Sequence, residues 1–327
     1  MTVPCVRVER ERGEPTRQRL EAADLLSATH DVAVDGDWLY IPVADPADVP
    51  DDLLVVDHDA PERETQTMPA DLLGFEPSYE RLGDVVLVDE DDPERARAIA
   101  DAIVESAIPA KTVLNKRSKI KGERRVRDWE VLAGNGTETV HREYGAEFLL
   151  DLATVYFSPR LATERHRVVE RVGADEHAFD MFAGVGPFAV PMAMRGAEVV
   201  ATDINETAIE YLRENADRNH VPERVTAIAA DVRDVAPEYE NWADRIVMNL
   251  PHSADEFLET AVTLADDVAV LHYYDIQHED DPFGPGESAI RSAAAPAYEV
   301  AVETRREVRT YAPHELNVVL DVRLTRR

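Results

Sequence analysis

Residues 177–188 read His-Ala-Phe-Asp-Met-Phe-Ala-Gly-Val-Gly-Pro-Phe, and few folds accommodate that order. Positions 178–182 predict a buried strand, Gly184 and Gly186 a tight turn, and 187–194 an apolar helix. Glycine at such a turn permits backbone angles that side chains forbid and lets a ligand approach the main chain closely. Pro187 suits a first helical turn, where its missing N–H costs nothing. The unit is a strand–glycine turn–helix cradle for a nucleotide. It commits the chain around it to strands alternating with helices.

The next strands carry polar ends in a pattern of their own. Positions 198–202 predict a strand ending in Asp203, and 225–230 a strand ending in Asp231. Two strand-end acids suit a nucleoside that presents both a ribose and an adenine amine. Gly184-Val-Gly186-Pro-Phe-Ala189 also fits the dinucleotide fingerprint, so the turn alone leaves an NAD site open. A fourth strand, 244–248, ends in Asn249-Leu-Pro-His252, which dinucleotide binding does not use. An amide fixed by a following proline can hold an exocyclic amine or ring nitrogen. As a set, Asp180 to Gly186, Asp203, Asp231 and Asn249-Leu-Pro251 resemble a class I S-adenosylmethionine-dependent methyltransferase that acts on a nucleobase.

The chain has 327 residues, enough for two or three domains, with 66 acidic residues against 35 basic and a formal charge of −31. Hydrophobic content is 44%, so the acidity decorates a globular protein rather than marking disorder. Only four of the basic residues are lysines. An acidic, lysine-poor surface resembles the proteins of halophilic archaea, whose self-repulsion is screened by salt. Cys5 is the single cysteine, which leaves no internal disulfide or thiolate metal cluster. No apolar run approaches the roughly 20 residues that span a bilayer, and the N-terminus lacks a signal peptide's apolar stretch. A soluble, cytoplasmic protein is expected.

From the start of the chain, 3–8 predicts a strand, 14–26 an amphipathic helix, and 31–34 with 38–43 a hairpin around Asp35-Gly36-Asp37. That is a small β-α-β-β module. Polar residues 57–77 read as a linker with a short helix near Leu72. A strand at 85–88 and a helix at 93–108 open a middle α+β domain, which continues through strands at 139–141 and 147–152. Between them Lys111, Lys116, Arg117, Lys119, Lys121, Arg124, Arg125 and Arg127 lie within seventeen residues, and they include every lysine of the chain. Most charge runs are solvated faces. In so acidic a chain, gathering all the lysines at one place points instead to a phosphate-binding patch.

Ser158-Pro159 predicts the turn into a helix that runs to about Val172 and carries Glu164. Such a helix would pack before the first strand of the cradle and bring Glu164 near the C-terminal sheet edge, where open α/β sheets bind ligands. Taken alone, a Glu in an Arg-rich helix is more often an ion-pair partner. Further helices at 206–219, 253–265 and 286–293 alternate with strands, one of them at 268–273. Positions 298–305 and 316–324 predict an antiparallel hairpin at the sheet edge.

Read end to end, the chain resembles the archaeal and eukaryotic tRNA (guanine-37 N1) methyltransferase family. The resemblance rests on Lys121-Gly-Glu-Arg-Arg125-Val-Arg127, Tyr156-Phe-Ser-Pro-Arg160-Leu, Asp180 to Phe188, Asp203-Ile-Asn205, Asp231-Val-Arg233, Val247-Met-Asn249-Leu-Pro251 and Tyr311-Ala-Pro-His-Glu315. It implies a small tRNA-contacting module at 1–56, the linker at 57–77, a middle tRNA-binding domain at 78–162 and a Rossmann-like class I methyltransferase domain, with a mostly parallel twisted sheet, at 163–327. It also implies roles for single residues. Glu164 would take the N1 proton of guanine, Arg125 would stabilise O6, and Asn249 would orient the base. The carboxylate would need dry surroundings to be basic enough. S-adenosylmethionine would be held by Phe182, Ala183, Gly184, Val185, Gly186, Pro187, Asp203, Ile204, Asp231, Val232 and Asn249. Lys116, Lys119, Lys121, Arg125, Arg127, Tyr156 and Arg160 would meet tRNA. His252 departs from the nucleobase pattern, which more often has an aromatic residue or, in this family, Lys.

No metal site, no membrane contact and no obligate protein partner are expected, and a monomer is. A rival within the same chemistry is transfer of the cofactor's aminocarboxypropyl group to a modified, tricyclic guanine at the same tRNA position. A methyltransferase that also acts on the tricyclic intermediate is compatible with the same residues. A tRNA-binding protein with a decayed cofactor site conflicts with the intact glycine turn and acids. An NAD-dependent oxidoreductase leaves Asn249-Leu-Pro251 and the lysine cluster unexplained.

Overall fold

The computed structural model describes residues 2–63, 66–118, 122 and 126–327. The chain forms two compact units, Met1–Thr67 and Met68–Arg327. No helix among the described residues is long and apolar enough to cross a membrane.

The first unit contains β1 (Thr2–Glu9), α1 (Gly13–Ala22), β2 (Ala33–Asp35), β3 (Trp38–Pro42) and β4 (Val55–Asp59). They build an antiparallel sheet of order β2-β3-β1-β4 over a core of Val6, Val8, Leu20, Ile41, Val43 and Val49. The hairpin forms as expected. Two readings change: α1 stops at Ala22 rather than Leu26, and β4 runs into the stretch read as linker. Asp24 takes a left-handed conformation, φ 57°, and turns Leu25 and Leu26 back onto the core. Strand β4 hides in the sequence because it lies at a sheet edge and alternates Val55-Val56 with Asp57, His58 and Asp59.

The second unit opens with α2 (Pro69–Leu73), β5 (Tyr79–Leu82), β6 (Val85–Val88), α3 (Pro93–Glu105), β7 (Thr112–Lys116) and β8 (Trp129–Ala133). Helix α3 starts where Asp92 accepts the amides of Glu94 and Arg95 and Pro93 fills the first turn. The four strands pair in the order β5-β6-β7-β8, with only β6 and β7 parallel. A separate hairpin, β9 (Glu138–Glu143) with β10 (Ala146–Asp151), follows.

Then come α4 (Ala162–Val169), β11 (His177–Asp180), α5 (Ala189–Met194), β12 (Glu198–Asp203), α6 (Glu206–Arg218), β13 (Val225–Ala229), α7 (Val232–Val235) and β14 (Ala243–Met248). The chain closes with α8 (Leu258–Leu264), β15 (Ala265–His278), α9 (Gly284–Ala294), β16 (Tyr298–Ala312) and β17 (Glu315–Arg326). Their sheet has the order β13-β12-β11-β14-β15-β17-β16, parallel from β13 to β15 and antiparallel beyond. This is the expected α/β methyltransferase sheet with its hairpin at one edge.

Alternation along the strands sorts side chains to two faces. Phe179, Val200, Ile246, Met248 and Tyr273 pack with α8 and α9. Ala178, Val199, Val247 and Tyr274 pack on the other face with α4, α5 and α6. That second core also includes Leu82, Leu87, Leu114 and Phe148, so the middle strands and the seven-stranded sheet share one hydrophobic interior. The division expected at 162/163 is a change of topology without a break in packing.

Two asparagines, Asn215 on α6 and Asn219 at its C-cap, strengthen the joint. Asn215 accepts the Leu149 amide at 2.7 Å and donates to the carbonyls of Leu149 and Val185, both at 3.0 Å. One turn later Asn219 accepts from the Glu147 amide and donates to its carbonyl. The helix thus supplies the β10 edge with the bonds a neighbouring strand would make, and it ties that edge to the glycine turn through Val185. Asn215→Leu keeps the volume but strands these groups. It should cost about 2–4 kcal/mol of unfolding free energy in a denaturant titration. An unchanged midpoint would contradict this role.

Candidate active site

The glycine turn is built as its sequence requires. Gly184 and Gly186 have φ of 54° and 91°, and a Cβ on Gly186 would stand 3.0 Å from Val190 and 3.1 Å from Leu212. The Gly184 amide donates to Asp203 at 2.8 Å, and Asp203 also accepts the Asn205 amide. Burial raises the Asp203 carboxyl above its ordinary value. Val185 and Ala183 are buried, so they can offer a ligand only backbone, whereas Ile204 is exposed and Phe182 half-exposed against Phe257. Pro187 is half-buried at the helix entry.

The two remaining cofactor candidates behave differently. Asp231 caps α7 and pairs with Arg233, which holds its carboxyl below the usual range. To receive an amine it must exchange that partner. Val232 lies in the core, so its side chain cannot reach a ligand in the cleft.

Asp180, at the end of β11, is the orphan of the site. It is 1% exposed, and neither carboxylate oxygen has a hydrogen-bond partner. Burial pushes its carboxyl up to about 7; the neighbouring Asp203 adds to this, while the backbone amides of Phe182 and Ala189 oppose it without closing good hydrogen bonds. An unpaired buried carboxylate beside an open glycine turn fits a ligand that carries positive charge, as the amino and sulfonium groups of S-adenosylmethionine do.

Glu164 is 4% exposed on α4, and it, Arg167 and, just beyond the helix, Arg171 meet β15, β17 and β16. Arg167 donates to both its oxygens, at 2.6 Å from Nη2 to Oε1 and 3.0 Å from Nε to Oε2. Tyr274 donates to Oε1 at 3.0 Å, and Arg306 stands 3.2 Å from Oε2. Burial pushes the Tyr274 hydroxyl well above its usual value, so it remains a donor. Asp321 accepts from Arg167 at 2.6 Å, from Arg171 at 2.8 Å and from His272 at 2.7 Å. The bland and functional readings of Glu164 therefore both apply: it has ion-pair partners, and it is a dry carboxylate near the C-terminal end of the sheet. Tyr274 directly follows the residue paired with Met248, the last residue of β14.

A cleft beside the glycine turn is lined by Lys116, Arg127, Tyr156 and Arg160, four of the expected tRNA-contacting residues. Trp129 and Arg309, which the sequence reading missed, line it too. Lys116 pairs with Asp89 and Arg160 with Glu80, while Arg127 lies over Trp129. Arg165 grips Glu143 at 2.6 and 2.7 Å and the Ser158 carbonyl at 3.1 Å, which fixes the loop carrying Tyr156 to α4. A Cβ on Gly184 would stand 3.9 Å from the Tyr156 carbonyl, so cleft and cradle adjoin. Lys119, Lys121 and Arg125 lie outside the described residues. Asn249 is half-buried directly after β14, and the loop beyond it is pinned by the Ile276 amide on the Pro251 carbonyl. His252 bonds the Tyr311 hydroxyl at 3.0 Å. Asp321 and His272, which the sequence analysis does not single out, stand as polar residues inside apolar strands; Arg306 carries no such signal.

Because Asp180 has a native value near 7 and an unfolded one near 4, the folded state binds a proton that the unfolded state does not between those values. Stability without ligand therefore falls as pH rises through this window. Asp180→Asn should be the more stable protein at pH 8.5, with an advantage about 2 kcal/mol larger than at pH 5. Paired thermal melts without cofactor measure this, and a pH-independent difference would contradict it.

Residues 139–302 match the TRM5/TYW2 methyltransferase domain, 65–137 the TYW2 N-terminal domain, and 5–51 the tRNA methyltransferase 5 N-terminal domain. The chain is 41% identical to the tRNA (guanine(37)-N(1))-methyltransferase Trm5b of Pyrococcus abyssi, over 98% of this chain and 99% of that protein. It is 36% identical to the tRNA(Phe) (4-demethylwyosine(37)-C(7)) aminocarboxypropyltransferase of Pyrococcus horikoshii, over 80% of this chain and 94% of that one. A solved structure described as the complex of aTrm5 and tRNALeu matches with a TM-score of 0.74 at 30% identity, covering 98% and 99% of the two chains. With its glycine turn, strand-end acids and full-length likeness, the chain belongs to the TRM5/TYW2 methyltransferase family.

Proposed function

We propose that this protein transfers a methyl group from S-adenosylmethionine to N1 of guanine 37 in tRNA, with Glu164 as general base. The observation that carries this reading is a likeness spanning both units. The N-terminal unit matches the tRNA methyltransferase 5 N-terminal domain, and the guanine-37 enzyme of Pyrococcus abyssi is matched over nearly its whole length. The aminocarboxypropyl relative matches only 80% of this chain while contributing 94% of its own length. What it lacks is about the size of the first unit.

Neutral guanine carries a proton on N1, which blocks attack by that nitrogen. Removing it drives negative charge onto O6, so the reaction needs a base, a donor at O6 and an anchor for the base edge. Glu164 accepts the proton. Arg125 donates to O6, and Asn249, half-buried after β14, orients the ring. When bound, S-adenosylmethionine supplies a methyl on a positively charged sulfur. Asp180 faces that positive charge, Asp203 holds the ribose, and the turn from Phe182 to Pro187 receives the amino-acid end. The cleft of Lys116, Arg127, Tyr156 and Arg160 takes the nucleotides around guanine 37, with Lys119 and Lys121 on the backbone.

The regions divide the labour: the N-terminal unit contacts tRNA, the middle strands hold the basic stretch, and the seven-stranded sheet with its helices carries the cofactor and the base. The protein works as a monomer in the cytoplasm of a halophilic archaeon, where a charge of −31 is screened and tRNA contacts must be short.

The test is incubation in high salt with labelled S-adenosylmethionine and an unmodified tRNA transcript carrying guanine 37, followed by nucleoside mass analysis. N1-methylguanosine at position 37 is expected. No methyl on guanine 37, with an aminocarboxypropyl adduct in a parallel incubation with tRNA carrying the tricyclic base, would overturn the assignment in favour of the related transferase.

A further inference from the structure

Glu164 faces donors on every side. Oε1 accepts from Tyr274 and Arg167, Oε2 accepts from Arg167, and the Arg306 guanidinium forms an ion pair over Oε2 at 3.2 Å. A carboxylate so covered leaves no open approach for a substrate N–H. For Glu164 to act as a base, one donor must leave. Tyr274 cannot, because its ring is 1% exposed in the core. Arg167 cannot, because Asp321 holds its other side and His272 holds Asp321. Arg306 remains. Its side chain is 47% exposed, it lies on the edge strand β16, and 3.2 Å is the longest of the three closest donor distances.

We propose that Arg306 covers Glu164 in the free enzyme and leaves for a tRNA phosphate on binding, so that guanine N1–H takes its place at Oε2. This rests on the general-base reading of Glu164. The proton passes from N1 to Oε2, and the electron pair of the broken N–H bond stays on N1, which becomes the nucleophile.

The strand geometry supplies the route. A bulge between Glu307 and Arg309 sets Arg306 opposite Val319 and Arg309 opposite Asn317, two positions apart on β17 and hence on one face. Without that bulge the two arginines would point to opposite faces. On β15 the same rows continue as Tyr274 and Ile276. Arg306 therefore ends the row that meets Glu164, and Arg309 ends the next row, about 7 Å along the strand. Arg309 lines the tRNA-facing cleft. Its Nε, and the Oδ1 of Asn317 beside it, are buried without hydrogen-bond partners among the described residues. The row next to Arg306 is polar, unsatisfied and turned toward the cleft, as a site shared with an anionic substrate would be. The groups facing Glu164 from the packed elements are Arg167 on α4, Tyr274 on β15 and Arg306 on β16, with Asp321 and His272 behind Arg167.

The test compares Arg306→Ala, Arg306→Lys and Glu164→Gln by tRNA binding across salt concentrations and by single-turnover transfer across pH. Arg306→Ala should bind tRNA about tenfold more weakly, with a salt slope smaller by about one. Arg306→Lys should restore both. At saturating tRNA the Ala variant should keep its transfer rate within about twofold, and the pH dependence of that rate should not move. Unchanged tRNA affinity, or a saturated rate lowered by more than about tenfold, would overturn the proposal and make Arg306 a fixed partner of Glu164. A Glu164→Gln variant that keeps the native rate would instead remove the general-base reading on which the proposal rests.

Discussion

A carboxylate withdrawn from water must have that water replaced by donors, and the catalytic half of this protein is arranged to do so for Glu164. Charges alternate inward from it. Arg167 separates Glu164 from Asp321, His272 joins Asp321 to Arg245, and Arg245 ends on Glu176 at 2.9 Å. Burial lowers the His272 value, so the ring is neutral. Arg245 donates to Nε2, which leaves the proton on Nδ1 for Asp321. Burial alone would raise the Asp321 carboxyl, but His272 and Arg167 hold it far below its ordinary range. These partners fix Arg167 from behind, so helix α4 presents the Glu164 carboxylate at one height above the sheet.

The cofactor side uses the opposite device. Asp180 is buried and left unpaired, and Asp203 is buried beside it. One carboxylate is therefore held by protein donors, while the other is buried without one. The first arrangement lends rigidity, and the second costs stability that ligand binding returns. Asn215 connects them to the rest of the fold. It holds the Val185 carbonyl of the glycine turn and the β10 edge of the middle region with one side chain. The hydrophobic interior shared across both regions keeps cradle and cleft in register.

Much of this was legible in the sequence because the signals are local. The glycine turn, its strand and its helix fit within eighteen residues, from 177 to 194, and the strand-end acids follow at strand boundaries that alternation marks clearly. The lysine cluster stands out against an acidic background and contributes Lys116 to the cleft wall. The illegible parts depend on contacts between distant residues. Arg167 meets Asp321 from 154 positions away, and nothing near either residue announces the pairing. Arg306 reaches Glu164 because of the irregular register of β16, which a pattern of alternating residues cannot show. The second half of edge strand β4, from Asp57, reads as linker because its residues Asp57, His58 and Asp59 are polar. Asp231 was read as free for a ligand, whereas its own neighbour Arg233 occupies it.

The central claim is that Glu164 takes the guanine N1 proton in the chemical step, and single-turnover methyl transfer at saturating tRNA tests it most directly. Glu164→Gln should transfer methyl at a rate lower by about 10²-fold or more at every pH measured. A Glu164→Gln variant that follows the native profile at a comparable rate would contradict the account.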